Sequence, residues 1–197
     1  MSFRKEKKYK LTKFEFVNLK NHMLKKGMNK LYSKRPVNSL YYDSEHYDMF
    51  QQSEEGTLPR KKIRIRWYDL ISNASIEKKI SSLEGRYKTS LKINNSSFST
   101  LPKTINDDTY GVLTPSLLVS YKREYYSYEG NRLTFDSEIK YKNYRRSYIL
   151  EFKDYEQVME IKVSLDTSDD YIETILPYST SRFSKYSRGI LISQGHL

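Results

Sequence analysis

The chain has 197 residues. At roughly 150 residues per domain this makes one compact domain, spanning 1–197, with no room for a separate cofactor module. Lys and Arg total 35 against 24 Asp and Glu, a formal charge of +11, so the expected partners are anions such as nucleic acid, phosphorylated metabolites or acidic lipid, and neutral or cationic substrates are poor candidates. Cysteine is absent, which excludes disulfides, thiol nucleophiles and Cys-ligated zinc; with no apolar run near the ~18 residues of a membrane span and no apolar leader, a soluble cytoplasmic protein is expected.

In chain order, a short extended start leads to Thr12-Lys-Phe-Glu15, which has the spacing of a capping box, and Phe14, Val17, Leu19 and Met23 follow at roughly helical intervals up to Gly27. A helix over about 13–26 is predicted. Pro36-Val-Asn-Ser-Leu-Tyr-Tyr-Asp43 predicts a strand, and Ser44 a cap for a short helix through Phe50, before a polar loop from Ser53 to Pro59. Strands are expected over 60–69, 74–81, 86–93, 116–127, 131–140, 146–152 and 157–166. The stretch 94–109, rich in Ser, Asn, Asp and Thr, reads as a loop. Ser168-Asp-Asp starts a helix over 169–176 that Pro177 stops, and a last helix is expected over about 181–193.

The strands carry a period of two. In Arg60 to Tyr68, positions 62, 64 and 66 are Lys, Arg and Arg, whereas 63, 65 and 67 are Ile, Ile and Trp, which separates a cationic face from an apolar one. The split recurs at Arg132, Thr134 and Asp136 against Leu133 and Phe135, and at Glu160, Lys162 and Ser164 against Met159, Ile161, Val163 and Leu165. Glu6 with Lys8 and Glu77 with Lys79 add charged pairs at i and i+2. For any one strand, a face turned to water explains this. Repeated arginine-rich faces suggest more, because such strands closed into a barrel would force like charges together unless an anion neutralised them. Arginine suits phosphate because its planar fork binds two oxygens and keeps its charge.

Segments spread along the chain resemble the VTC domain, the polyphosphate polymerase domain of the vacuolar transporter chaperone complex and its stand-alone microbial relatives, within the triphosphate tunnel metalloenzyme (CYTH-like) superfamily. They are Arg4-x-Glu-x-Lys8-Tyr9, Ser39-Leu-Tyr-Tyr-Asp43, Arg64-Ile-Arg66-Trp-Tyr, Glu77-x-Lys79, Tyr121-x-Arg123, Arg132-Leu-Thr-Phe-Asp136, Glu160-Ile-Lys162 and Arg182-Phe-Ser-Lys185-Tyr. The resemblance implies an α+β fold, an antiparallel eight-stranded β-barrel tunnel with flanking helices. It also implies transfer of the γ-phosphoryl of ATP onto a phosphate or polyphosphate chain, releasing ADP. By the same resemblance, Arg64, Arg66 and Lys185 take catalytic positions, Lys8, Lys79, Arg123, Arg132 and Arg182 grip phosphates, and Glu160 holds a divalent metal, Mn2+ or Mg2+. A further basic family position falls near Arg86 or Lys88.

Three alternatives stand beside the polymerase. CYTH phosphatases resemble one another in a first-strand Glu-x-Glu-x-Lys; here the frame reads Arg4-x-Glu6-x-Lys8, which favours gripping a phosphate over activating water. A nucleic-acid-binding module would place stacking aromatics on the basic face, yet Tyr9, Trp67 and Phe135 alternate with the charged residues, so nucleic acid is a disfavoured partner. A sensor of polyphosphate or inositol phosphates would need no metal carboxylate. His22, His46 and His196 have no metal-ligand spacing. A membrane partner is compatible with the chain, although none of its segments is expected to span a bilayer.

Overall fold

The fold is that of a computed structural model, which describes residues 4–94, 97–146, 148 and 150–197. Among these, ten strands and four helices follow in the order β1 (Arg4–Leu11), α1 (Lys13–Lys25), β2 (Asn29–Asp43), α2 (Asp48–Glu55), β3 (Arg60–Tyr68), β4 (Leu70–Ser81), β5 (Arg86–Lys92), β6 (Ile105–Asp107), β7 (Gly111–Tyr128), β8 (Asn131–Asn143), β9 (Glu151–Lys153), β10 (Gln157–Ser164), α3 (Asp169–Ile175) and α4 (Lys185–Gln194), with a 3-10 turn at Phe98–Thr100. The strand order is β1-β10-β8-β7-β2-β3-β4-β5, with β6 against β7 and β9 against β8. The β1–β10, β10–β8, β2–β3, β3–β4, β4–β5, β6–β7 and β8–β9 ladders are antiparallel. Among the described residues, no helix is long and apolar enough to cross a membrane.

The chain divides into two compact units: one of 1–35, 122–139 and 154–183, the other of 36–121, 140–153 and 184–197. In the first unit, the apolar faces of β1, β8 and β10 supply Tyr9, Leu11, Leu133, Phe135, Met159, Ile161 and Val163 to a core that α1 and α3 cover with Phe16, Leu19, Met23, Ile172 and Ile175. Phe135 meets Phe16 and Tyr126 edge to face, at centroid distances of 5.3 and 5.6 Å, the geometry that aromatic quadrupoles prefer. In the second unit, Leu40, Tyr42, Ile63, Ile65 and Trp67 pack with Met49, Ala74, Leu101 and Leu113. Each core is built from the odd-numbered or even-numbered halves of alternating strands, so within each unit the polar halves of those strands lie on the opposite face.

Several predicted elements need correction. The capping box at Thr12 and Glu15 forms and α1 ends at Lys25, but its buried residues are Phe16, Leu19 and Met23, whereas Phe14 and Val17 are 75% and 42% exposed. Two apolar stripes compete on this helix, and only the one at 16, 19 and 23 meets the sheet. Helix α2 starts four residues after Ser44 and runs through Glu55, into the predicted loop; Ser44 still accepts the Asp48 N–H. The expected strand over 146–152 reduces to β9, and within it Ser147 and Ile149 lie outside the described residues. The last helix begins at Lys185 with Ser184 as its cap, which leaves Arg182 ahead of it in irregular chain. The predicted loop 94–109 holds β6 and the 3-10 turn.

Candidate active site

The second unit gathers cations around one carboxylate. Arg64 and Arg66 share a face of β3 and are only 6% and 8% exposed, and in register Arg64 sits between Tyr41 on β2 and Glu77 on β4. Arg64 donates from Nε and Nη2 to Glu77 Oε2 at 2.8 and 2.6 Å, and from Nη1 to the Tyr41 hydroxyl at 2.8 Å. Arg66 Nη1 stands 3.8 Å from the same Glu77 oxygen, while its Nε and Nη2 donate to Ser39 Oγ and the Tyr121 hydroxyl. Lys88 Nζ takes the other oxygen of Glu77 at 2.5 Å. Burial works to raise the Glu77 carboxyl, but Arg64, Arg66 and Lys88 outweigh it and hold it down at about 2. Lys185 Nζ lies 4.7 Å from the centre of the Tyr121 ring, and Lys62 donates to Ser184 Oγ at the cap of α4. Lys79 is exposed and occupies the register position between Lys62 and Lys88. Fixed, partly desolvated cations in excess of their carboxylate make a site that an anion would stabilise.

The first unit is balanced differently. Its polar face carries the cations Lys8, Arg123, Arg132 and Lys162 and the carboxylates Glu6, Asp136 and Glu160. Lys8 is opposite Glu160, and Glu6 opposite Lys162, across β1 and β10. Arg123 grips Asp136 through both arms of its fork, at 2.6 and 2.7 Å. Lys162 pairs with Glu6 and stands 3.3 Å from Glu160, while Lys8 Nζ donates to the Phe183 carbonyl at 2.9 Å. Burial opposes the ionisation of Glu160, and Lys8, Lys162 and Arg123 overcome it and bring the carboxyl to about 2. Arg132 is exposed, opposite Lys162, and Arg182 is exposed ahead of α4. The side chain of Arg4 lies outside the described residues.

The predicted residues thus form two sets within their own units: Arg64, Arg66, Lys79 and Lys185 in one, Lys8, Arg123, Arg132, Glu160 and Arg182 in the other. Four partners escaped the sequence reading. Glu77 and Asp136 were visible as charges on polar faces, but not as the anchors of Arg64 and Arg123. Tyr41 and Thr134 gave no signal, since a tyrosine among 19 and a strand threonine look like ordinary sheet residues. Thr134 is directly opposite Glu160, and its buried hydroxyl has no hydrogen-bond partner among the described residues.

Among the described residues, no group of three His, Cys, Asp or Glu is placed to hold a metal. Mg2+ and Mn2+ commonly take one or two carboxylates and complete their shell with water and substrate phosphates. Ionised Glu160 beside the unpartnered Thr134 hydroxyl fits that pattern. The flanking lysines suit an ion whose charge the phosphates have already offset.

The VTC domain family model matches residues 3–194. No curated protein is significantly similar in sequence. Among solved structures, a candidate adenylyl cyclase from Hippeastrum with a dominant triphosphatase activity is similar at a TM-score of 0.58 and 16% identity, covering 98% of this chain and 96% of that one. A candidate adenylate cyclase from Bacillus halodurans matches at 0.57 and 14%, covering 93% and 94%. A protein from Pyrococcus horikoshii matches at 0.53 and 16%, covering 97% of each. At these identities the likeness establishes the fold alone, an antiparallel sheet with flanking helices.

Proposed function

The chain belongs to the VTC domain family, and from that premise we propose that it is a metal-dependent polyphosphate polymerase: a terminal oxygen of phosphate or polyphosphate attacks the γ-phosphorus of ATP, the bond to the bridging oxygen breaks, and ADP leaves. The observation that carries the reading is the Arg64, Arg66 and Lys88 cluster on Glu77. Phosphoryl transfer asks a protein mainly for fixed positive charge and alignment, and Glu77 fixes Arg64 before any substrate arrives. Arg64, with three of its five N–H groups engaged, keeps donors for phosphate oxygens. In this reading Lys185, Lys79, Lys8, Arg123, Arg132 and Arg182 supply further phosphate contacts, and no side-chain nucleophile is needed. A divalent ion, Mn2+ or Mg2+, would be held by Glu160 and would offset charge on the phosphates.

A tunnel triphosphatase is the second reading, favoured by the activity of the Hippeastrum structure. Against it, the Glu6 carboxylate is engaged by Lys162, so the first strand is poorly arranged to hold metal and position water. The deciding experiment incubates the chain with ATP, manganese and a phosphate primer, resolves products by gel, and assays ADP and free phosphate. A phosphate ladder with matching ADP is expected; free phosphate without a ladder would instead make the protein a triphosphatase. Replacing Glu160 by Gln is expected to abolish manganese-dependent turnover, and Mn2+ binding in the presence of ADP read by electron paramagnetic resonance, while the thermal melt persists. Unchanged manganese binding would move the metal site elsewhere.

A further inference from the structure

Tyr41 faces Arg64 across the β2–β3 ladder, and its ring lies on that of Tyr186 in α4, with centroids 4.7 Å apart and planes 18° from parallel. The Tyr186 hydroxyl donates to Asp43 Oδ2 at 2.5 Å, and Asp43 also accepts the backbone N–H groups of Ser44, Met49 and Phe50. The Tyr41 ring is therefore held against a second ring that is itself tied to the start of α2. Its hydroxyl accepts the Nη1 proton of Arg64 at 2.8 Å. A phenol both accepts and donates, yet among the described residues this one has no acceptor for its own proton. A buried donor left without a partner costs free energy that an incoming acceptor would recover.

We propose that Tyr41 is a phosphate-binding residue, donating its phenolic proton to a phosphate oxygen of the substrate gripped by Arg64 and Arg66. The proposal rests on the reading above and adds to it a neutral donor among the cations. Burial works to keep the phenol protonated, but Arg64, Arg66 and Lys185 outweigh it and leave the hydroxyl more acidic than an ordinary tyrosine, which strengthens it as a donor to an anion. A tyrosine with two side-chain torsions and a stacked ring also loses little freedom on binding.

The test is binding of inorganic tripolyphosphate to the full chain by calorimetry. Tyr41→Phe keeps the ring and removes only the hydroxyl, and it is expected to weaken binding about tenfold or more, the scale of one hydrogen bond to a charged group. Because Tyr41 also touches Arg64, the substitution is repeated in an Arg64→Ala background. If Tyr41 donates directly, its replacement by Phe still weakens binding there. An unchanged affinity for Tyr41→Phe, or an effect that disappears without Arg64, overturns the proposal, the latter by making Tyr41 a support for the guanidinium. A wild-type chain with no affinity for tripolyphosphate overturns the site and the proposal together. Since the readout is binding, a chain that binds tripolyphosphate but builds no polymer removes the polymerase reading alone, and the Tyr41 comparison still decides.

Discussion

At the scale of single residues, Glu77 organises the second unit's cations, and its titration gives the clearest solution signature. Its carboxyl lies near 2 in the folded protein against 4.5 ordinarily. A depressed carboxylate contributes stability above the ordinary value and loses it as pH falls towards the folded one. Melting temperature is therefore expected to fall between about pH 4.5 and pH 2, more gently in Glu77→Gln than in the wild type; parallel curves would show that Glu77 is not held by its cations. Arg66 has looser contacts than Arg64 and more capacity left for a ligand. Arg66→Ala is expected to lower turnover by roughly 100-fold or more, the scale of a lost transition-state donor, and full turnover would remove it from the site. Both arginines were legible because a period of two marks a face. Glu77 as their anchor was not, because alternation says which side a residue faces and not which residue it grips.

At the scale of elements, the ends of helices were the most legible feature. Thr12 and Glu15 lie three residues apart and satisfy each other's backbone donors, so the start of α1 could be read locally. Its buried face could not, because Phe14 and Val17 are as apolar as Phe16 and Leu19, and the sheet beneath selects between them. Gly189 in α4 shows the same limit. A Cβ there would come within 2.4 Å of Tyr141 Cδ1 and 2.6 Å of Leu117 Cδ2, residues remote in sequence on β8 and β7. Gly189→Ala is expected to destabilise the protein by about 1–3 kcal/mol, the usual cost of overpacking, as read by urea unfolding; a neutral result would mean that α4 shifts freely. The same close approach places Lys185 and Tyr186 against the cluster.

At the scale of the whole molecule, 35 basic against 24 acidic residues make polyanion binding and stability linked quantities. Tripolyphosphate is expected to raise the melting temperature, because a ligand bound only by the folded state adds to its stability, and the gain is expected to shrink as sodium chloride rises. A shift insensitive to salt would mean that the anion is held outside the basic faces. By itself, the sequence determined the charge, the mixture of antiparallel strands and capped helices, and the division of strands into polar and apolar faces, since all of these follow from composition and from spacing between near neighbours. It took the tertiary structure to decide that Arg64, Arg66 and Lys88 share Glu77 and that Tyr41 accepts from Arg64, and, in the other unit, that Arg123 takes Asp136. Those pairings depend on strand register and desolvation, which arise when residues far apart in the chain are brought within hydrogen-bonding distance.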